Sequence, residues 1–189
     1  MANCVIVPGC PGNEESSMNF SERTYDKHWI PWIREHLIDR WLATQVALMP
    51  EPWAPDYTKF AQAFAAYDVN EHSVLIGHSC GCAFLVRWLG ETQTKIAKLI
   101  LVAPWKIPYR ADGSDIDFYG YTIHADIQNL VSDVTIFVAD DEEDDGKKSV
   151  ELFHDALGGR VIELPWRGHY TMWDMGTDAF PELLDLVLG

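Results

Sequence analysis

Ser79 stands at the centre of Gly77-His78-Ser79-Cys80-Gly81, between the apolar run Ser73 to Ile76 and the helical stretch Cys82 to Leu89. A G-x-S-x-G pentapeptide at a strand-to-helix junction is a nucleophile-elbow pattern, in which a sharp, strained turn exposes the serine hydroxyl at the end of a sheet. The glycines two before and two after the serine let strand and helix pass close to each other. Such a hydroxyl attacks only when a base takes its proton and a third group orients that base. His169, in Arg167-Gly168-His169-Tyr170, follows the last predicted strand, at the end of a sheet where ligands gather. The other histidines are placed less well. His28, His36 and His154 fall in or near helical patterns, His72 precedes the elbow strand, His78 is the elbow's variable position, and His124 lies in an irregular segment.

The orienting carboxylate is expected after the strand Val134 to Ala139, where Asp140 to Asp145 form an unbroken acidic run. The first turn past the strand points to Asp141, with Glu142 next in line, and the remaining carboxylates read as solvated charge. Asp141, Glu143, Asp145 and Gly146 also match the opening of an EF-hand calcium loop. Its twelfth position is Leu152, however, and its flanks are a strand and a helix. A tetrahedral oxyanion needs backbone donors. The N–H of Cys80, next to the nucleophile, is one; the loop Gly9-Cys10-Pro11-Gly12 supplies the other from Cys10, because Pro11 has no N–H. Cys80 itself is not expected as a nucleophile, since the elbow exposes Ser79. No H-E-x-x-H and no paired Cys/His spacing supports zinc, and no cofactor or metal is expected.

These residues need a frame. The chain of 189 residues is long enough for one domain with a full core and short for two, so residues 1–189 are read as a single domain. Short β-branched runs alternate with helical patterns, the signature of βα units around a mainly parallel sheet. Strands are expected at Cys4 to Pro8, Gln45 to Met49, Ser73 to Ile76, Lys98 to Val102, Val134 to Ala139 and Val161 to Leu164. Helices are expected around Pro31 to Arg40, from Tyr57 with Asp56 as its cap, after the elbow, near Lys147 to Leu157, and around Phe180 to Leu188. This is a three-layer α/β/α sandwich of about six strands. The aromatics Trp105, Tyr109, Phe118, Tyr119 and Tyr121 fall in a stretch without clean periodicity, open to a role in an acyl pocket or in packing.

Fourteen basic against 29 acidic residues give a net charge of −15, which argues against nucleic acid and membrane surfaces as partners. No apolar stretch approaches the roughly 20 residues that span a bilayer. The amino terminus reads as a first strand rather than a signal peptide. The four cysteines, Cys4, Cys10, Cys80 and Cys82, lack C-x-x-C spacing and are expected as reduced thiols in a cytoplasmic protein.

The chain resembles the small serine hydrolases grouped around retinoblastoma-binding protein 9 and the bacterial YdeN proteins. The resemblance rests on Pro8-Gly9 after the first strand, His28-Trp29-Ile30-Pro31-Trp32, Met49-Pro50-Glu51-Pro52, the elbow, Asp140-Asp141 and Gly168-His169. It implies a compact α/β-hydrolase with little or no cap and a Ser79, Asp141, His169 triad. The family usually follows its acid with an apolar residue and Pro, whereas here Glu142 to Asp145 continue acidic. The expected activity is hydrolysis of a small-molecule ester or amide through an acyl-enzyme. The alternative is a binding or scaffold protein on the same fold. A protein partner has no support in the sequence.

Overall fold

A computed structural model describes residues 1–189. One six-stranded sheet runs through it in the order β2-β1-β3-β4-β5-β6, and every neighbouring pair is parallel. The strands are β1 (Asn3–Val7), β2 (Ala43–Val46), β3 (Ser73–His78), β4 (Ile96–Val102), β5 (Val131–Ala139) and β6 (Arg160–Leu164). The main helices are α1 (Ile30–Ile38), α2 (Tyr57–Phe64), α3 (Cys80–Thr92), α5 (Asp144–Leu157) and α7 (Pro181–Leu188). Two four-residue helices, α4 (Ile116–Tyr119) and α6 (Met172–Met175), lie in the loops.

The period of two in a strand sends alternate residues to opposite faces, and both faces are covered. Val5, Val7, Leu75, Leu99, Leu101 and Ile136 join Phe60, Phe64, Phe84, Leu85 and Phe153 of α2, α3 and α5. Cys4, Ile6, Val74, Ile76, Ile100 and Phe137 join Trp29, Ile33 and Leu37 at α1 and Leu183 and Val187 of α7. Each buried Val, Leu, Ile or Phe among them contributes roughly 1.5–3 kcal/mol relative to exposure. This burial on both faces is why the inner strands β1, β3 and β4 read as near-continuous apolar runs.

The expected elements exist, with shifted ends. β5 starts at Val131, three residues before the apolar run, its beginning hidden in the sequence by the exposed Ser132 and Asp133. β2 lies at Ala43–Val46, four residues at the sheet edge, rather than at the more apolar Gln45 to Met49. Asp56 caps α2 by accepting the Lys59 N–H at 2.8 Å, a contact of about 1 kcal/mol. No helix is long and apolar enough to cross a membrane.

The cysteine expectation is corrected. Cys10 and Cys80 form a disulfide, while Cys4 and Cys82 are free and buried. The fold itself explains the pairing. Sequence order reverses between β1 and β3, so the loop leaving β1 and the turn leaving β3 meet at the carboxyl edge of the sheet. That edge is where open α/β sheets bind ligands.

Candidate active site

Ser79 adopts φ 52° and ψ −120°, a conformation L side chains rarely take, at the junction of β3 and α3. The two elbow glycines make that turn sterically possible. A Cβ on Gly77 would stand 2.8 Å from the Cys82 backbone nitrogen, and one on Gly81 would stand 2.4 Å from the Val7 carbonyl oxygen. The turn is pinned by the Ser79 N–H donating to the Val102 carbonyl at 3.0 Å.

His169 comes to this turn from the loop after β6. Its Nε2 lies 2.8 Å from Ser79 Oγ, and its Nδ1 lies 2.9 Å from Glu142 Oε2. Nδ1 therefore donates to the carboxylate, leaving Nε2 to accept the serine proton. The histidine side chain is 28% exposed and that of Glu142 only 2%, so the carboxylate is enclosed while the imidazole stays open to a substrate.

Asp141, the expected partner of His169, does not reach the ring: its Oδ1 accepts the Gly168 N–H at 2.9 Å. The physical reason is a three-step ladder between the end of β5 and the loop after β6. Asp140 accepts the Trp166 N–H at 2.9 Å, Asp141 accepts that of Gly168, and Glu142 takes the His169 ring. The extra methylene of Glu142 spans the remaining gap. Gly146 leaves room for it, since a Cβ there would sit 2.7 Å from the Glu142 carboxyl carbon. Asp144 and Asp145 open α5, where negative charge complements the helix dipole. The residues suggestive of a calcium loop thus run directly into a helix.

Around the base are residues the sequence reading did not single out. Asp174 accepts the His169 N–H at 3.1 Å and forms a capping box with Thr171. His78 Nε2 lies 2.9 Å from the His169 carbonyl, so it is the protonated nitrogen. Burial, and then the neighbouring His169 and His28 rings, hold His78 well below the ordinary histidine range. The capping box does have a local signature, Thr171-x-x-Asp174; the His78 contact joins residues 91 apart and has none.

Cys10 and Cys80, the expected oxyanion donors, are brought together at the elbow with their Cα atoms 5.7 Å apart. Cys80 is the first residue of α3, where an N–H has no acceptor within the helix. Two clefts open beside the serine. One of about 430 Å³ is walled by Trp105, Tyr109, Tyr119 and Glu143. The other, of about 210 Å³, lies toward His28, His78, Thr171 and Trp173. Phe118 and Tyr121 pack elsewhere, Phe118 against Phe60 and Tyr121 through its hydroxyl on the Ala83 carbonyl. A cleft between α1 and β2 shares no residue with this site.

Known proteins are similar to this chain in sequence and in fold. The YdeN protein of Bacillus subtilis is 28% identical over 80 residues, 40% of this chain and 42% of YdeN, so that match spans about two fifths of the relative. The structure of the B. subtilis ydeN gene product superposes with a TM-score of 0.82 at 17% identity, covering 99% of this chain and 96% of that one. Est1E from Butyrivibrio proteoclasticus superposes with a TM-score of 0.67 at 15% identity, covering 99% and 87%. These structures share the α/β-hydrolase fold. They support the YdeN side of the resemblance but lend none to retinoblastoma-binding protein 9. Residues 18–188 match the serine hydrolase family, and the chain belongs to it.

Proposed function

We propose that the protein hydrolyses a small ester or amide through an acyl-enzyme. Ser79 attacks the carbonyl carbon as His169 Nε2 takes the hydroxyl proton. The backbone N–H groups of Cys80 and Cys10 receive the charge that develops on the carbonyl oxygen. His169 then passes its proton to the leaving alcohol or amine, and a water repeats the sequence to release the acid. Glu142 holds the imidazole in the required tautomer and stabilises the imidazolium. The carrying observation is the unbroken line from Ser79 Oγ through His169 to Glu142, with contacts of 2.8 and 2.9 Å.

A fluorophosphonate probe tests this directly. Wild-type protein should label, and Ser79→Ala should abolish both labelling and ester turnover while keeping the wild-type melting temperature. Labelling of the Ser79→Ala protein at another residue would refute the assignment, and an unlabelled wild type would favour the binding-protein alternative.

A further inference from the structure

The two residues whose backbone N–H groups receive the oxyanion in the reading above are joined covalently by the Cys10–Cys80 disulfide. The two ends of that bond are held very differently. On the Cys80 side the elbow is tied to its surroundings. The Ser79 N–H donates to the Val102 carbonyl at 3.0 Å, and the Ser79 carbonyl accepts the N–H groups of Cys82 and Trp105 at 3.0 and 3.2 Å. Cys80 is buried and begins the 13-residue helix α3. On the Cys10 side nothing comparable exists. Residues 9–11 lie beyond the end of β1, belong to no helix or strand, and make no backbone hydrogen bond.

Neither the Cys10 N–H nor the Cys80 N–H is donated to a backbone carbonyl, and Cys10 lines both clefts that open at the serine. With the bond closed, the Cα atoms of the two residues stand 5.7 Å apart, within the span that two donors to one oxygen require. With the bond open, no backbone hydrogen bond would keep residues 9–11 beside the elbow. Their conformational freedom would then have to be lost each time the oxyanion forms.

We propose that the Cys10–Cys80 disulfide is a positioning element of the reaction: it holds the Cys10 N–H beside the Cys80 N–H for the oxyanion, so that turnover depends on the bond being closed. This rests on the serine-hydrolase reading above. The effect falls on the transition state, because only the charge that develops there calls on both donors. Cys10 is partly exposed, so a small reductant reaches the bond from solvent. A water-soluble phosphine gives two electrons to the disulfide and becomes its oxide with the oxygen of a water, whose two protons complete the two thiols. Oxidised glutathione closes the bond again by thiol–disulfide exchange, leaving two glutathione thiols.

The test compares oxidised protein, protein reduced by the phosphine and then desalted, reoxidised protein, and a Cys10→Ala/Cys80→Ala variant that keeps both N–H groups without the bond. Thiol titration after denaturation should count two thiols in the oxidised protein and four in the reduced. Assays run well below the melting temperature of the reduced protein, with circular dichroism reporting the fold. On a neutral p-nitrophenyl ester, kcat/KM should fall about ten- to hundredfold in the reduced protein and the variant, less than the loss of one whole donor, and reoxidation should restore it. The inhibition constant of an alkyl trifluoromethyl ketone, whose adduct with Ser79 carries the oxyanion, should rise by a similar factor. That of the matching trifluoromethyl alcohol, which forms no adduct, should stay within about threefold. Folded, reduced protein with undiminished kcat/KM overturns the inference and leaves serine hydrolysis standing. So does equal weakening of ketone and alcohol, or a protein that keeps four thiols in oxidised glutathione. If neither bond-free form folds, the bond supports the fold as a whole and the inference is overturned as well. If oxidised wild-type protein neither turns over the ester nor labels with a fluorophosphonate, the underlying reading fails and the inference fails with it.

Discussion

Replacing Glu142 by glutamine changes one oxygen to an NH₂ group and alters little in shape, yet it should nearly abolish the proposed turnover. The carboxylate now receives the His169 Nδ1–H at 2.9 Å. Its other oxygen accepts the Glu143 N–H at 2.9 Å. A glutamine preserving the second contact turns its NH₂ toward His169, where two donors would meet. The ring relieves this by moving its proton to Nε2, the nitrogen that must accept from Ser79. The equivalent acid-to-amide change in a serine protease costs about 10⁴ in turnover, or about 5 kcal/mol of transition-state stabilisation. Because the Glu142 side chain is only 2% exposed, solvent offers little alternative pairing, and a loss of about 10³ to 10⁴ is expected here. Asp141→Asn serves as the comparison. Its amide oxygen still accepts the Gly168 N–H from an exposed position, so turnover should stay within about tenfold of wild type. Both variants are assayed on a neutral p-nitrophenyl ester and, independently, by their rate of fluorophosphonate labelling. The reasoning is refuted if Glu142→Gln stays within tenfold of wild type, or if Asp141→Asn loses as much as Glu142→Gln.

Two further outcomes concern stability. The Cys10–Cys80 bridge closes a loop across a sequence separation of 70, worth about 4 kcal/mol in the chain-entropy account, so complete reduction should lower the melting temperature by about 10 °C. Scanning fluorimetry with and without a phosphine reductant, alongside thiol titration, checks this; an unchanged Tm in fully reduced protein would contradict it. Burial and neighbouring rings hold His78 well below, and His28 below, the ordinary histidine range. The unfolded chain therefore takes up protons that the folded chain refuses. Stability should be complete above about pH 6.5 and decline as pH falls toward the folded-state values, by at most about 1.4 kcal/mol per pH unit per group. Melts between pH 7.5 and 5.5 should show this decline, with a shallower slope in His78→Gln; identical slopes in the two proteins would sink the argument.

The sequence reveals some parts of this site and conceals others, and the division follows the range of the interactions. Gly77, Ser79 and Gly81 are legible because their constraint is local: a Cβ at either glycine collides with backbone next to the turn. His169 is legible from its order along the chain, after the last strand. Glu142 is not, because its selection over Asp141 depends on the ladder between two loops. Asp140 and Asp141 are occupied by the N–H groups of Trp166 and Gly168, and only the third carboxylate meets the ring. No propensity at residues 140–142 encodes that register. The disulfide differs, because its signal was present in the expected roles of the two cysteines. Two N–H groups that bind one oxygen at about 2.9 Å each must lie within about 6 Å of one another. Assigning Cys10 and Cys80 to one oxyanion hole thus already requires their backbones to be adjacent, and their Cα atoms are 5.7 Å apart. Two separate reduced thiols at these positions are at odds with that constraint. The site chemistry and the cross-link are two consequences of β1 and β3 lying side by side.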